Sequence, residues 1–333
     1  MAPEKPNRNM ATLKDVARAS GVSAVTASSV LSGVNRVRVS AATTQRIRDT
    51  ARRLNYVPFA AAQGLRTGRT NVIAFVVAAA PARRDGPWQD SLRGVSDFLG
   101  ENGQRLMLAM PVDEERELEA IRQFSFGRQV DGLIIQGGSS EDPRVQLAKE
   151  SGRPFVLLGG EAEACPSASL DLRPALRALC LELAENHGAL AVVAPRSDAQ
   201  AAREFLDGCA EGAQASERPF REWRRAFLPE AAWWLEARAA AGRRPLAVIL
   251  HRWLLPELCG QFARIGLALG RDADIVYVAS GDDVVLPPRG MAVVRLDHYT
   301  VSRRAAQLLF QWIQEPGAFD RSTRVRAPAL PAR

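Results

Sequence analysis

The 333-residue sequence has few cysteines and no long apolar run. None of its four cysteines forms a Cys-x-x-Cys pair, which argues against a disulfide framework and against a zinc ribbon. The longest apolar run, residues 72–81, is about half the length that a bilayer span requires. No apolar segment of a secretory signal follows the first ten residues, so the sequence predicts a cytoplasmic protein.

The common signatures of catalysis and metal binding are also missing. The sequence has no Gly-x-Gly-x-x-Gly loop, no phosphate-binding loop and no Gly-x-Ser-x-Gly nucleophile elbow. Its three histidines, His187, His251 and His298, lack the spacing of metal ligands. We therefore expect no catalytic residue, no metal and no cofactor.

Positive charge is concentrated near the N-terminus. Residues 1–70 contain 12 Lys and Arg against three acids, a net charge of +9, whereas residues 71–333 contain 32 basic and 34 acidic residues. A small basic segment attached to a nearly neutral body is typical of proteins that bind nucleic acids.

The basic segment has the pattern of three short helices over residues 11–57. Thr12-Leu-Lys-Asp15 has the form of a capping box, and Ser23 and Ser40 can cap a second and a third helix. Because the first two helices are joined by Gly21-Val22-Ser23, the pattern predicts a helix-turn-helix domain. With Ala27, Val30 and Leu31 facing inward, the second helix presents an outer face that would enter the major groove. That face consists of Ala24, Val25, Ser28 and Ser29, and the hydroxyls of Ser23 and Thr26 can bond phosphate oxygens.

The pattern changes at residue 71. Short apolar runs such as 72–79, 130–135 and 246–250 alternate with amphipathic stretches of helical period. This alternation predicts an α/β body over residues 71–330, with two Rossmann-like lobes and a cleft at the strand ends. Residues 58–70, rich in alanine, are predicted to form a hinge helix or linker between head and body.

Three segments carry a resemblance to a known family: TLKDVARASGVSAVTASSVLSG, VSAATTQRIRDTARRLNYVP and AAAQGLRTGRTNVIAFVV. In order and spacing they resemble the lactose/galactose repressor family of bacterial transcription regulators. The resemblance implies a helix-turn-helix head, a hinge helix and a two-lobed body like periplasmic sugar-binding proteins, which dimerises. It also implies that Leu65 is pushed into the minor groove, where an apolar wedge can kink the duplex. The predicted DNA contacts are Thr12, Ser23, Ala24, Val25, Thr26, Ser28, Ser29, Asn35, Tyr56, Ala62 and Leu65.

The sequence departs from the family pattern at several positions. Ser29 stands where the family usually has arginine, and its loss removes a guanidinium that could bind guanine bidentately. In the body, Phe205 replaces a sugar-binding arginine, and His251-Arg252 replaces an Asn-Asp pair. These changes predict a cleft suited to an anionic or aromatic effector more than to a neutral sugar. The predicted effector-binding residues are Trp88, Phe205, His251, Arg252 and Asp282.

The sequence therefore predicts a DNA-binding transcriptional repressor that binds a near-palindromic operator as a homodimer, with a small-molecule effector in the cleft. The alternative from another class is a small-molecule binding protein, or a nucleotide-cofactor enzyme, that carries a basic appendage. The helix-turn-helix pattern distinguishes the repressor from this alternative, because a binding protein or cofactor enzyme does not need a DNA-binding head.

Overall fold

The computed structural model describes residues 11–31, 38–57, 68–79, 88–194, 200–224, 230–242, 246–251, 254–280, 289–328 and 330–331. Five predicted site residues, Asn35, Ala62, Leu65, Arg252 and Asp282, lie outside the described residues, as does most of the predicted hinge. The chain divides into two compact units, residues 1–71 and residues 72–333, which we call the head and the body.

The head contains three helices, α1 (Leu13–Ala19), α2 (Ala24–Leu31) and α3 (Ala41–Arg53). Thr12 and Asp15 form the predicted capping box, and the Ser40 hydroxyl accepts a hydrogen bond from the Thr43 backbone N–H. Gly21 lies in the turn with a φ of 66°, a conformation that glycine adopts without strain. The small core of Val16, Ala17, Ala27, Ile47 and Ala51 holds the helices together. The prediction of three short helices is confirmed.

The first lobe of the body is built on a six-stranded parallel sheet in the order β11-β5-β4-β3-β1-β2. Its strands are β1 (Val72–Val76), β2 (Arg105–Ala109), β3 (Gly132–Gln136), β4 (Phe155–Leu158), β5 (Ser167–Asp171) and β11 (Arg324–Pro328). Its helices are α4 (Trp88–Glu101), α5 (Glu114–Phe126), α6 (Pro143–Ser151) and α11 (His298–Gln314).

The second lobe is built on another six-stranded sheet, in the order β12-β10-β9-β8-β6-β7. All neighbouring strands are parallel except β12, which runs antiparallel to β10. The strands are β6 (Ala189–Ala194), β7 (Phe220–Arg224), β8 (Leu246–His251), β9 (Ala273–Ser280), β10 (Met291–Leu296) and β12 (Leu330–Pro331). The helices are α7 (Leu172–Asn186), α8 (Gln200–Ala215), α9 (Ala231–Ala240) and α10 (Leu255–Arg264).

The chain passes between the two lobes three times, between β5 and α7, between β10 and α11, and between β11 and β12. Consequently the first lobe is made from two separate stretches of sequence, which the alternation of strands and helices alone does not reveal. The two-lobed α/β architecture that we predicted is confirmed.

Successive residues of the central strands face opposite sides of their sheets. In β1, Ile73 and Phe75 belong to one hydrophobic cluster, while Ala74 and Val76 belong to another on the opposite face. A strand buried on both faces is expected where helices cover both sides of a parallel sheet. All four cysteines are free thiols, and three of them, Cys165, Cys180 and Cys209, are buried.

Two buried polar side chains, Glu117 and His187, form hydrogen bonds and ion pairs with neighbouring elements. The buried carboxylate of Glu117 accepts a hydrogen bond of 2.9 Å from the Ala79 backbone N–H and pairs with Arg144. His187 ends α7, and its ring nitrogens lie 2.7 Å from the Leu183 carbonyl oxygen and 2.8 Å from Asp274 Oδ2. These contacts agree with a structural role for His187. Within the described part of the chain, no helix has the length and apolar character needed to cross a membrane.

Candidate nucleic-acid interface

The outer face of α2 is largely as the sequence predicts. Ala24 is exposed, Val25 is 70% exposed and Ser28 is half-buried. Ser29 differs, because it is only 7% exposed, and its predicted place on the open face of the helix is wrong. Both α1 and α3 contact α2, so more of the helix is covered than a single inner stripe, and a short serine side chain does not extend past its surroundings.

The first turn of α2 is stabilised by side-chain hydroxyls. Ser23 Oγ accepts a hydrogen bond of 3.1 Å from the Thr26 backbone N–H and lies 2.8 Å from Thr26 Oγ1. This is the geometry of an N-terminal cap, and it holds Ala24 and Val25 in a defined orientation at the start of the helix. The open N–H groups and the helix dipole favour a negative charge at this end of α2.

Two other predicted contact residues have structural partners in the head. The Thr12 hydroxyl donates a hydrogen bond of 2.7 Å to Asp15 Oδ2, so it belongs to the cap of α1. Tyr56 is half-buried against the head core, and this burial raises the pKa of its hydroxyl. Neither arrangement tests whether these residues touch DNA, which stays a prediction.

The described part of the head is strongly basic on its surface. Seven exposed basic side chains stand against one exposed acidic side chain, Asp49, and the half-buried Asp15. Two of the basic groups have carboxylate neighbours, Arg18 at 3.6 Å from Asp15 and Arg52 at 3.3 Å from Asp49. The net charge of residues 1–70 indicated this property, and four of the arginines lie on α3. The seven basic residues are Lys14, Arg18, Arg38, Arg46, Arg48, Arg52 and Arg53.

The structure contradicts the predicted effector role of Phe205. This residue is 3% exposed and lies in α8 among the apolar side chains of the body core. Phe205, Cys209 and Ala213 recur at every fourth position, which is the spacing of a buried helical face. The prediction that the Phe205 ring faces an effector in the cleft is therefore wrong, because the ring packs into the core.

The other predicted effector residues are only partly described. Trp88 is the first residue of α4 and is half-buried against the body core. His251 ends β8, with its backbone paired to Val278 of β9. Because the carboxyl ends of parallel strands share one edge of a sheet, His251 lies at the edge where a cleft is expected.

A charged cluster that the sequence did not indicate joins the two lobes. Arg326 in β11 lies 2.6 Å from Glu161 and 3.4 Å from Asp171, both in the first lobe. The same guanidinium lies 3.0 Å from Glu204 in α8 of the second lobe. We call these four residues the interlobe cluster. They are distant in sequence, so no local motif could have revealed them.

Known proteins resemble the head of this chain in sequence and nearly the whole chain in fold. Residues 12–58 match the sequence model of the family described as "Bacterial regulatory proteins, lacI family". The HTH-type transcriptional regulator MalR of Streptococcus pneumoniae is 38% identical over 153 residues, covering 44% of this chain and 45% of MalR. The chain thus spans less than half of that relative's length.

Solved structures resemble nearly the whole chain. One is the structure of the lac repressor dimer bound to operator and the anti-inducer ONPF. Its alignment covers 97% of this chain and 98% of the lac repressor chain, with a TM-score of 0.74 and 19% identity. The complex of the transcriptional regulator CelR with cellobiose covers the same shares, with a TM-score of 0.65 and 23% identity. Residues 12–58, in the head of this chain, thus match the sequence model of the lacI family of bacterial regulatory proteins, and its body has the two-lobed fold of these solved structures.

Proposed function

We propose that this chain is a cytoplasmic, DNA-binding transcriptional regulator that represses its target genes. The observation that carries this proposal is the folded head, which combines a helix-turn-helix with an exposed face of α2 and seven exposed basic side chains. Lysine and arginine that neutralise phosphates release counterions, which supplies most of the sequence-independent affinity for DNA. A binding protein or cofactor enzyme with a basic appendage is not favoured, because the basic segment is itself a helix-turn-helix of the lacI type.

The proposal includes a homodimer formed through the body. Strand β2 lies at the edge of the first sheet, and Leu108, Met110 and Val112 on or after it are exposed. An open strand edge can pair with another chain, and neighbouring exposed apolar side chains are typical of an interaction site. A two-fold symmetric dimer presents two heads to DNA, which agrees with a near-palindromic operator.

We further infer that a small molecule bound between the lobes changes the affinity for DNA. The interlobe cluster supports this inference, because it offers charged hydrogen-bonding groups from both lobes. A polar ligand fits such groups, and it need not be a neutral sugar. With Phe205 buried, the case for an aromatic ligand no longer rests on that residue.

DNA binding is tested with fragments selected from genomic DNA by the full chain. The logarithm of the affinity should fall linearly with the logarithm of the salt concentration, with a slope of about −0.9 per phosphate neutralised. Deletion of residues 1–70 should abolish binding and leave a folded body, because the body is a compact unit of its own. Binding by the shortened chain with an unchanged salt slope would contradict the proposal.

The effector is tested by calorimetry with neutral sugars, sugar phosphates and aromatic acids. A ligand of the cleft should bind the full chain and change its affinity for the selected fragments by linkage. Trp88→Ala should weaken that binding if the ring stacks on the ligand. If no compound of the panel binds while DNA binding is intact, the effector is removed from the proposal and the DNA-binding regulator remains.

A further inference from the structure

The side chains of α2 are unusual for a helix that would read bases. Its sequence, AVTASSVL, contains no arginine, lysine, asparagine or glutamine. The arginine position of the family is occupied by Ser29, which is buried. The long polar side chains that make bidentate hydrogen bonds to guanine or adenine are therefore missing from this helix.

Val25 is instead the prominent group on the exposed face. At 70% exposed, it is one of the two most exposed large apolar side chains in the described part of the chain, the other being Val57 at 78%. A β-branched residue has a lower helix propensity than alanine, and exposure gives it no share in the core. Nothing in the described residues of the free head accounts for a valine at this place.

Val25 lies at a position of α2 from which a side chain can contact bases. It follows Ala24 in the first turn, which the hydrogen bonds between Ser23 and Thr26 hold in place. In a helix-turn-helix protein, the N-terminal residues of the second helix contact base edges in the major groove. Val25 and Ala24 thus occupy the positions from which such contacts are made.

The major groove offers one apolar group, the 5-methyl of thymine, and otherwise hydrogen-bonding edges. A valine pressed on a polar edge would remove water from groups that it cannot satisfy, and this is unfavourable. On a thymine methyl, the same side chain buries apolar surface on both partners. We propose that Val25, flanked by Ala24, recognises the thymine 5-methyl, so that each operator half-site carries an A·T pair at this position. The proposal rests on the function proposed above.

The test replaces single thymines by uracil in an operator fragment selected by the full chain. Uracil lacks only the methyl group and keeps the charge and hydrogen-bonding edge of thymine. The loss of one methyl contact corresponds to about a fourfold loss of affinity, and of two contacts, one per half-site, to about fifteenfold. We expect this loss at one symmetric pair of positions for the wild-type chain.

Val25→Ala identifies the side chain responsible. In this variant the ratio of thymine to uracil affinity at the sensitive positions should fall towards one, and folding is preserved because alanine favours the helix. Val57→Ala is the matched control, since Val57 is equally exposed but lies outside α2, and its ratio should equal that of the wild type.

The outcomes separate this inference from the proposed function. Specific, salt-dependent binding that is indifferent to uracil at every position would overturn the inference and leave the regulator intact. A uracil effect that persists unchanged in Val25→Ala would also overturn it, because another residue would then contact the methyl. Failure to bind any selected fragment would overturn both proposals.

Discussion

Thr12 and Asp15 stabilise the start of α1 by hydrogen bonds in both directions. The Thr12 hydroxyl and backbone N–H donate to the Asp15 carboxylate at 2.7 and 2.9 Å, and the Asp15 backbone N–H donates to the Thr12 hydroxyl at 3.3 Å. The bond from the Thr12 hydroxyl, and to a smaller extent the bond from its backbone N–H, lower the pKa of Asp15. A lowered pKa means that the ionised carboxylate stabilises the folded head at pH values above the ordinary pKa of about 4. This contribution is lost as the pH falls through the lowered value.

Thr12→Ala should therefore have two effects. The free energy of unfolding of the head should fall by about 0.5–2 kcal/mol, as for other lost helix caps, and the pKa of Asp15 should rise towards its ordinary value. Chemical denaturation and a titration of the Asp15 carboxyl by NMR measure the two quantities. Thr12→Ser is the control, because it keeps both donors. An Asp15 pKa that stays low in Thr12→Ala would show that other groups set it.

At the scale of elements, α7 and α8 come close together through two glycines. A Cβ placed on Gly212 would lie 2.5 Å from Cys180 Cβ and 2.6 Å from the Arg177 carbonyl oxygen. A Cβ on Gly208 would likewise lie 2.5 Å from the Arg173 carbonyl oxygen. Because backbone atoms are among these neighbours, side-chain rotation cannot make room. The two helices can pack at this distance only while both positions are glycine.

Gly212→Ala should thus push α8 away from α7. We expect the body to lose about 1–3 kcal/mol of unfolding free energy, the usual cost of overpacking. Gly260→Ala is the matched control, since Gly260 lies in α10 with open space around its Cβ position. That variant should be neutral or stabilising by up to about 1 kcal/mol, because alanine favours the helix. Equal unfolding midpoints for both variants would contradict the close-packing argument.

Regular patterns in the sequence identified most elements. Capping residues and apolar spacing predicted the three helices of the head, and apolar runs predicted strands such as β1 and β3. The pattern failed for β7, whose sequence FREWR has three charged residues and lies at a sheet edge. The family resemblance, and not the apolar pattern, placed Phe205 on the cleft, although its spacing with Cys209 and Ala213 indicated the core.

The site was less predictable than the elements, because its members come together only in the fold. The outer face of α2 could be predicted from one helix, and Ala24 and Val25 are exposed as expected. Ser29 could not, since its burial depends on how α2 packs against the rest of the head. The interlobe cluster was invisible for the same reason, as Glu161 and Arg326 are 165 residues apart.

At the scale of the whole molecule, Arg326 forms ion pairs with both lobes of the body. Its guanidinium is shared by Glu161, Asp171 and Glu204, and only Glu204 belongs to the second lobe. The side chains of Arg326 and Asp171 are partly open to solvent, so each pair contributes at most about 1 kcal/mol. Removing the positive charge leaves three carboxylates close together, and their repulsion should separate the lobes.

Arg326→Gln should therefore open the lobes with little loss of stability. We expect a larger radius of gyration in small-angle X-ray scattering and faster hydrogen exchange in the first turns of α8. Arg324→Gln is the control, because Arg324 is 3.4 Å from Glu161 within the first lobe. Adding Glu204→Gln to Arg326→Gln should reverse part of the change. Identical behaviour of the two single variants would show that the cluster does not connect the lobes.

The three crossings between the lobes also determine when the protein can fold during its synthesis. The first lobe needs α11, whose Val301, Leu309 and Trp312 complete its cores, and β11, which is an edge strand of its sheet. These elements are translated after the whole segment 172–296 of the second lobe. At about 5–20 residues per second, the ribosome takes roughly 6 to 25 seconds to add that segment. During this time the nascent first lobe exposes apolar surface that it cannot yet bury, and such surface makes an incomplete chain prone to aggregation.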